Sequence, residues 1–343
     1  MRETHIYNTI MKKYFFLSIV AFLLVAMAAE DASGQRFTAK KRYNSLGVSI
    51  NAMNYFGDIT PESDFTSLRF SSTRPNIGVN YTMRLYPRIS VRGSFAWGRI
   101  TGDDAKAADP TEADNRDRNI RNLSFRNDIK ELSATVIVDL FENRGNYLRR
   151  PDLVPYAFIG VGVMHHNPKA FWPGSPELSE GWYELQPLGT EGQNLGGDYP
   201  DPYSLVQIVI PAGLGVRYKL DRNWDISFEI GWRKTFTDYL DDVSGTYADK
   251  GALYNADGPE AAILSDRSGY NPESIQAGLV TQKEIDPNVM YPNVPVGTEL
   301  PSVGGFGQKG NQRGDKSDKD WYIVSGFSLN YILNPNVRSP KFR

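Results

Sequence analysis

Residues 76–98 read NIGVNYTMRLYPRISVRGSFAWG and contain two alternating segments joined by a tight turn. From Ile77 to Leu85, and again from Ile89 to Trp97, every second residue is apolar or glycine, and most residues between them are polar or small. Side chains of a β-strand point alternately to opposite faces, so each segment predicts a strand with one apolar and one polar face. The short connection Tyr86-Pro87-Arg88 predicts a hairpin between the two strands.

The same alternation recurs along the rest of the chain. It appears in six further segments: residues 46–52, 132–140, 159–163, 212–220, 226–232 and 323–333. Short and long connections follow one another, and aromatic residues gather at the strand ends, which is typical of outer-membrane barrels. We therefore predict an all-β fold, an eight-stranded antiparallel transmembrane β-barrel with short periplasmic turns and long extracellular loops. The alternative is a soluble β-sandwich, because its strands also alternate.

The first residues predict an export signal. Lys12 and Lys13 precede an uncharged apolar run over residues 14–29, and small residues follow before Gln35. This order is typical of a cleaved signal peptide. An uncleaved transmembrane helix would need about 20 apolar residues. We predict a signal peptide over 1–34, with Met1 or Met11 as the start.

The rest of the chain predicts one domain. Residues 35–343 would form a single outer-membrane barrel with a long loop insertion at 244–319, and an even strand number would leave both termini in the periplasm. The insertion has no sustained apolar period, so we expect too little core there for a second folded unit.

The composition excludes several kinds of site. The chain has no cysteine, which removes thiol nucleophiles, zinc thiolate sites, disulfides and a lipid anchor on cysteine. A formal net charge of −2 gives no reason to expect a nucleic-acid partner. The pair His165-His166 suggests a lipid-modifying enzyme as a minor alternative, but adjacent strand residues point to opposite faces. We predict that the protein is not an enzyme and has no catalytic, cofactor-binding or metal site.

The inward faces of the predicted strands carry charges of both signs. The candidate lumen residues are Arg84, Arg92, Asp139, Arg217, Lys219, Glu229 and Arg233. The interior of an eight-stranded barrel is narrow enough for side chains to fill, and buried charges require partners. These residues predict an ion-pair network that plugs the barrel, with a proton or solute path as the alternative.

An unusual acidic segment follows the seventh predicted strand, where residues 235–244 read TFTDYLDDVS. The segment NYFGD, residues 54–58, leaves the first strand at the same rim. Only the last strand separates strands one and seven in a closed barrel, so we expect the two segments to meet. The candidate rim residues are Tyr55, Gly57, Asp58, Thr237, Asp238, Tyr239, Asp241 and Asp242. Calcium is an alternative ligand, but the glycine of a calcium loop is missing, so hydrogen-bonded turns are favoured.

These two segments, together with the export signal, resemble the PorG-type family of small outer-membrane barrels in the type IX secretion and gliding motility system. The second motif, RKTFTDYLDDVS at 233–244, is the more specific. The resemblance covers most of residues 43–250 and 320–334, and it fails over the loops 101–128 and 250–319. It implies a non-enzymatic subunit for protein transport that associates with a periplasmic ring of the lipoprotein PorK and of PorN. The subunit would anchor this ring, and other secretion components, at the outer-membrane lipid.

If this implication holds, the periplasmic turns are where ring contacts are expected. The candidate contact residues are Tyr86, Pro87, Arg88, Arg144, Arg149, Arg150, Asp221, Arg222 and Asn223. The alternative function is a stand-alone small barrel for adhesion or for passage of small hydrophobic solutes.

Overall fold

Eight long strands form a closed antiparallel barrel in the computed structural model, which describes residues 41–59, 72–107, 113–175, 178–284, 299–303 and 306–333. The predicted signal peptide lies outside the described residues. The barrel strands are β1 (Asn44–Phe56), β2 (Arg74–Arg84), β3 (Ile89–Asp103), β4 (Ser124–Asp139), β5 (Leu153–His165), β8 (Val206–Lys219), β9 (Trp224–Thr235) and β12 (Trp321–Leu333). Their order around the barrel is β3-β2-β1-β12-β9-β8-β5-β4.

Two pairings close the ring. The first and last strands pair from Asn44↔Leu333 to Phe56↔Trp321, and β3 pairs with β4 from Ile89↔Val138 to Asp103↔Ser124. A β-sandwich would leave two separate sheets with edges. The predicted barrel is therefore confirmed, and the sandwich alternative is wrong.

The outer wall of the barrel is apolar. Large side chains at alternate positions are exposed, for example Ile50 (72% exposed), Leu132 (64%) and Leu214 (61%). Soluble proteins rarely expose a continuous apolar surface of this extent, whereas lipid acyl chains cover it in a membrane. We call this band the apolar belt. Among the described residues, no helix is long and apolar enough to cross a membrane.

The remaining elements belong to the long loops at one end, which is the extracellular end because periplasmic turns are short. They are α1 (Asp104–Ala107), α2 (Ala113–Arg121), β6 (Pro168–Trp172), β7 (Gly181–Glu184), α3 (Lys250–Ser265), α4 (Pro272–Gln276), β10 (Val280–Glu284) and β11 (Glu299–Val303). The β6–β7 hairpin extends the barrel wall by pairing with the start of β4.

These loops fold into an outer cap, defined as the described residues of segments 57–59, 104–123, 166–205 and 236–320. Its own apolar core consists of Ala170, Trp172, Leu178, Leu185, Ala248, Leu253, Ala261, Ala262, Ile263 and Leu264. The sequence pattern did not reveal this apolar core, and the single domain over residues 35–343 stays a prediction. The core combines residues from two distant loops, and helix α3 is kinked at Gly258 (φ 84°) before Pro259, which interrupts its periodicity.

Candidate functional site

Buried ion pairs cross the lumen of the barrel. The carboxylate of Asp139 is 2.8 Å from the guanidinium groups of both Arg84 and Arg217. Farther along the lumen, Arg92 pairs with Glu229. Each positive charge therefore faces a negative charge inside a volume that excludes most water, as burial of charge requires.

Two more predicted lumen residues lie nearer the barrel ends. Arg233 is 3.1 Å from Glu131, which is buried. Lys219 pairs at 3.5 Å with Asp152, a side chain that is 80% exposed, so this pair lies at the wetted periplasmic end. The structure thus brings six of the seven predicted charges into the interior, and Lys219 marks its boundary.

Glu131 was missed because the fourth strand was predicted to begin at residue 132. In the structure β4 begins at Ser124, and Glu131 shares the inward parity of Ser133 and Thr135. Extending the alternation by one residue pair would have identified it.

Between these ion pairs the lumen contains only small voids. The largest cavity, lined by Asn80, Arg92, Glu229 and Arg233 among others, has a volume of about 60 Å³, and the next two have about 30 and 10 Å³. The largest of these cavities holds a few water molecules and the smallest about one. None of these three cavities is large enough for an organic solute.

The two rim segments meet at the junction of barrel and cap. The hydroxyl of Tyr55 is 2.6 Å from Asp241 and 2.9 Å from Asp320, the residue directly before β12. A phenol has one hydrogen and donates only once. A proton on one of these two carboxyl groups would allow that group to donate to the phenol oxygen while the phenol donates to the other.

Burial at this junction favours the protonated form of the carboxyl groups. Burial, followed by the charge of Asp58, raises the pKa of Asp241 well above its usual range. Burial and the neighbouring Asp241 raise the pKa of Asp320 in the same way. Burial also raises the pKa of Asp58 to about 6 and the pKa of Asp238 to about 7. The junction is thus a hydrogen-bonded cluster in which burial shifts the pKa of all four carboxyl groups upward.

Gly57 allows this close approach. A Cβ atom added there would lie 1.9 Å from Asp320 Oδ1 and 2.1 Å from the Tyr55 hydroxyl. Any side chain at this position would displace the central hydrogen bonds, which gives a packing reason for the glycine in the first motif.

A second buried network ties the acidic motif to the cap. The guanidinium of Arg313 lies 3.1 Å from Glu191 and 3.5 Å from Asp242. Asp242 also accepts hydrogen bonds from the hydroxyls of Thr190 (2.5 Å) and Tyr203 (2.7 Å). Three loop segments that are distant in sequence therefore converge on one arginine.

The remaining motif residues form local turns. Thr237 accepts the backbone N–H of Tyr239 at 3.1 Å, and Asp238 accepts the hydroxyl of Ser244 at 2.7 Å. Asp58 accepts the backbone N–H of Asp315 at 3.0 Å. Among the described residues, no group of three or more acidic or histidine side chains is arranged to hold a metal ion.

The histidine pair separates as strand geometry requires. His165 is exposed, whereas His166 is buried, with Nε2 3.2 Å from the Ser204 carbonyl and Nδ1 3.5 Å from Asn127. Burial lowers the pKa of His166 to about 4, so it is neutral at physiological pH. In the described part of the chain, no serine hydroxyl contacts this ring, so a nucleophile–base pair is not assembled.

The periplasmic turns place most of their predicted contact residues at the surface. Tyr86, Arg144, Arg149, Asp221 and Arg222 are exposed, and Pro87, Arg88 and Asn223 are half-buried.

Arg150 differs from the other predicted contact residues. It is only 5% exposed and lies 2.8 Å from Asp225, with its other N–H groups on the carbonyls of Tyr147, Asp221 and Arg222. Its guanidinium holds two turns together and offers no surface to a partner, so its placement as a ring contact is corrected.

The chain is similar to one family model and to several outer-membrane barrels of known structure. Residues 21–180 match a family model described as a domain of unknown function, DUF6089. No curated protein matches the chain.

Three solved structures illustrate the likeness. The attachment invasion locus protein Ail of Yersinia pestis, in complex with a heparin analogue, has 8% identity and a TM-score of 0.34, covering 85% of this chain and 99% of that chain. OprG of Pseudomonas aeruginosa has 8% identity, coverages of 85% and 96%, and a TM-score of 0.33. A major outer membrane protein of Thermus thermophilus has 11% identity, coverages of 84% and 99%, and a TM-score of 0.36. Scores this low carry no argument about function, and the barrel assignment rests on the strand pairing.

Proposed function

We propose that this protein is a non-enzymatic outer-membrane barrel that acts by binding at its folded outer cap and does not conduct solutes. The observation that carries the proposal is the contrast between the filled lumen of the barrel and the folded outer cap above it. Paired charges fill the lumen and leave voids for a few waters. The outer loops, by contrast, fold on a buried network and present a defined surface. This favours surface recognition such as adhesion over passage of hydrophobic solutes through the lumen.

We expect the purified barrel to show no conductance steps in planar lipid bilayers, because its ion pairs block the lumen. The replacement Arg92→Ala with Glu229→Ala removes one pair together with both side chains, and it should introduce small, measurable conductance. The exposed pair Arg144→Ala with Glu142→Ala is the matched control and should remain silent. Regular conductance steps from the unaltered protein would contradict the proposal.

A second candidate is a subunit of the type IX secretion machinery, exported by a cleaved signal peptide with both termini in the periplasm. The observation in its favour is the resemblance of residues 54–58 and 233–244 to PorG-type barrels. In this function the exposed turn residues, among them Arg149 and Arg222, are available to a periplasmic ring of PorK and PorN.

Mild-detergent purification of the tagged chain from its own outer membranes, with mass spectrometry, separates these candidates. Recovery of PorK and PorN, lost in the variant Arg149→Glu with Arg222→Glu, would favour the secretion subunit. Recovery of the barrel alone under the same extraction would remove that candidate and leave the stand-alone surface protein.

A further inference from the structure

A cluster of cationic side chains lies on the outside of the barrel wall, directly above the apolar belt. The outward residues of β3, β4 and β6 at this level include Arg99, Arg126, Lys130 and Lys169. Two acidic residues face them, since Asp128 pairs with Arg99 and Glu184 pairs with Lys169 at 2.6 Å. Farther along β3, Asp103 pairs with Lys106. Among the described residues Lys130 has no acidic partner, and Arg126 forms no ion pair, although it interacts electrostatically with Asp128.

The position of Lys130 connects this cluster to the membrane. It is exposed, it pairs across the sheet with the half-exposed Trp97, and it lies two residues from Leu132 in the belt. Arg126 stacks on the ring of Trp182 at 3.6 Å, and its Nε has no hydrogen-bond partner in the described part of the chain. Lys130 thus faces outward beside the lipid, and Arg126 lies on the same outer face with its guanidinium against the Trp182 ring.

The extent of the cluster along the membrane normal indicates how large a lipid headgroup it could contact. Four residues separate Lys130 from Arg126, which is about 13 Å along a strand and about 10 Å along the membrane normal for a strand tilted by about 40°. The polar region of an ordinary phospholipid leaflet is only about 6 Å thick. The cluster therefore extends beyond a simple phospholipid headgroup.

The aromatic residues above the cations indicate the chemistry of that larger headgroup. Phe171 and Trp182 lie next to each other, with ring centroids 5.3 Å apart, and are 36% and 46% exposed. Exposed aromatic rings can pack against the apolar C–H faces of a sugar. The cationic side chains beneath them can bind phosphate through charge-assisted hydrogen bonds.

We propose that this wall binds the phosphorylated sugar headgroup of a glycolipid embedded in the outer leaflet. Phosphate groups contact Lys130 and Arg126, the acyl chains lie along the apolar belt, and the sugar packs near Trp182. The surface is distinct from the cap network and from the periplasmic turns. It goes beyond the proposed function, because it concerns the lipid around the barrel.

The test uses the full-length exported barrel in neutral detergent and native mass spectrometry with three probes: diphosphorylated lipid A, its dephosphorylated form and phosphatidylglycerol. We expect retention of the diphosphorylated form. Removing one cation, in Lys130→Gln, should weaken this retention about fivefold, and Lys130→Gln with Arg126→Gln should weaken it about 25-fold.

Lys234→Gln is the matched control. Lys234 is also an exposed outward lysine at the outer rim, three strands away around the barrel from Lys130. Retention should be unchanged in this variant. Equal retention of the dephosphorylated form or of phosphatidylglycerol would overturn the proposal, as would unchanged retention in the double variant with its normal heat-dependent gel mobility.

Discussion

Replacing Asp139 with alanine is expected to destabilise the barrel by about 3–5 kcal/mol, because it leaves two buried guanidinium groups without a counter-charge. The side chains of Asp139 and Arg84 are 2% and 3% exposed, and Arg217 is 17% exposed. Water that enters the space left by the carboxylate is uncharged and does not neutralise the two guanidinium groups. The measurement is urea unfolding of the refolded barrel in lipid vesicles, followed by heat-dependent gel mobility.

Asp152→Ala provides the control for this experiment. Its carboxylate also pairs with a cation, that of Lys219, but it is 80% exposed. The free energy of unfolding should therefore fall by no more than about 1 kcal/mol. Equal stability of the Asp139 variant and the unaltered protein would contradict the assignment of the lumen pairs as the principal electrostatic support of the barrel.

Replacing Arg313 with alanine is expected to open the outer cap while the barrel stays folded. The side chains of Arg313, Glu191 and Asp242 are at most 2% exposed. Removal of the arginine would leave two carboxylates buried together, at a cost of about 3–5 kcal/mol. Limited proteolysis of the protein in vesicles should then cut the cap, whereas heat-dependent mobility should still report a closed barrel.

Two further variants distinguish lost charge from lost packing in the cap. Lys316→Ala removes an exposed cation from the same segment and should leave the protease resistance unchanged. Arg313→Met combined with Glu191→Gln and Asp242→Asn removes every charge of the network and should recover part of the resistance. A cap that resists protease as well in Arg313→Ala as in the native chain would show that the network is not required.

The barrel was predictable from sequence because alternation is a local property of each strand. A lipid-facing strand repeats its apolar residues every second position, so each segment reveals its own two faces. The first and last residues of the strands were less predictable. The strands extend above the membrane, where their outward side chains are polar and the apolar alternation stops. This is why β4 was predicted to begin at residue 132 and Glu131 was missed.

The contact between the two rim motifs was predictable for a different reason. Closure of the barrel places β1 and β9 on either side of β12, whatever the loops do. The partners that complete the networks, Asp320, Glu191 and Arg313, come from loops whose paths depend on tertiary packing. Loops carry no periodicity, so neither their core nor their ion pairs could be derived from one sequence.

The cap is built from segments that are far apart in the sequence, which affects the order in which the protein folds. Arg121, in the second long loop, donates to the carbonyl of Arg313 in the last one, 192 residues later. Contacts between such distant segments form late, because the intervening chain must first be ordered. We therefore expect the cap to complete its folding late, after the strands that flank these loops have come together. Its segments are then expected to cross the outer membrane as unfolded chain, and the cap to be completed on the extracellular side.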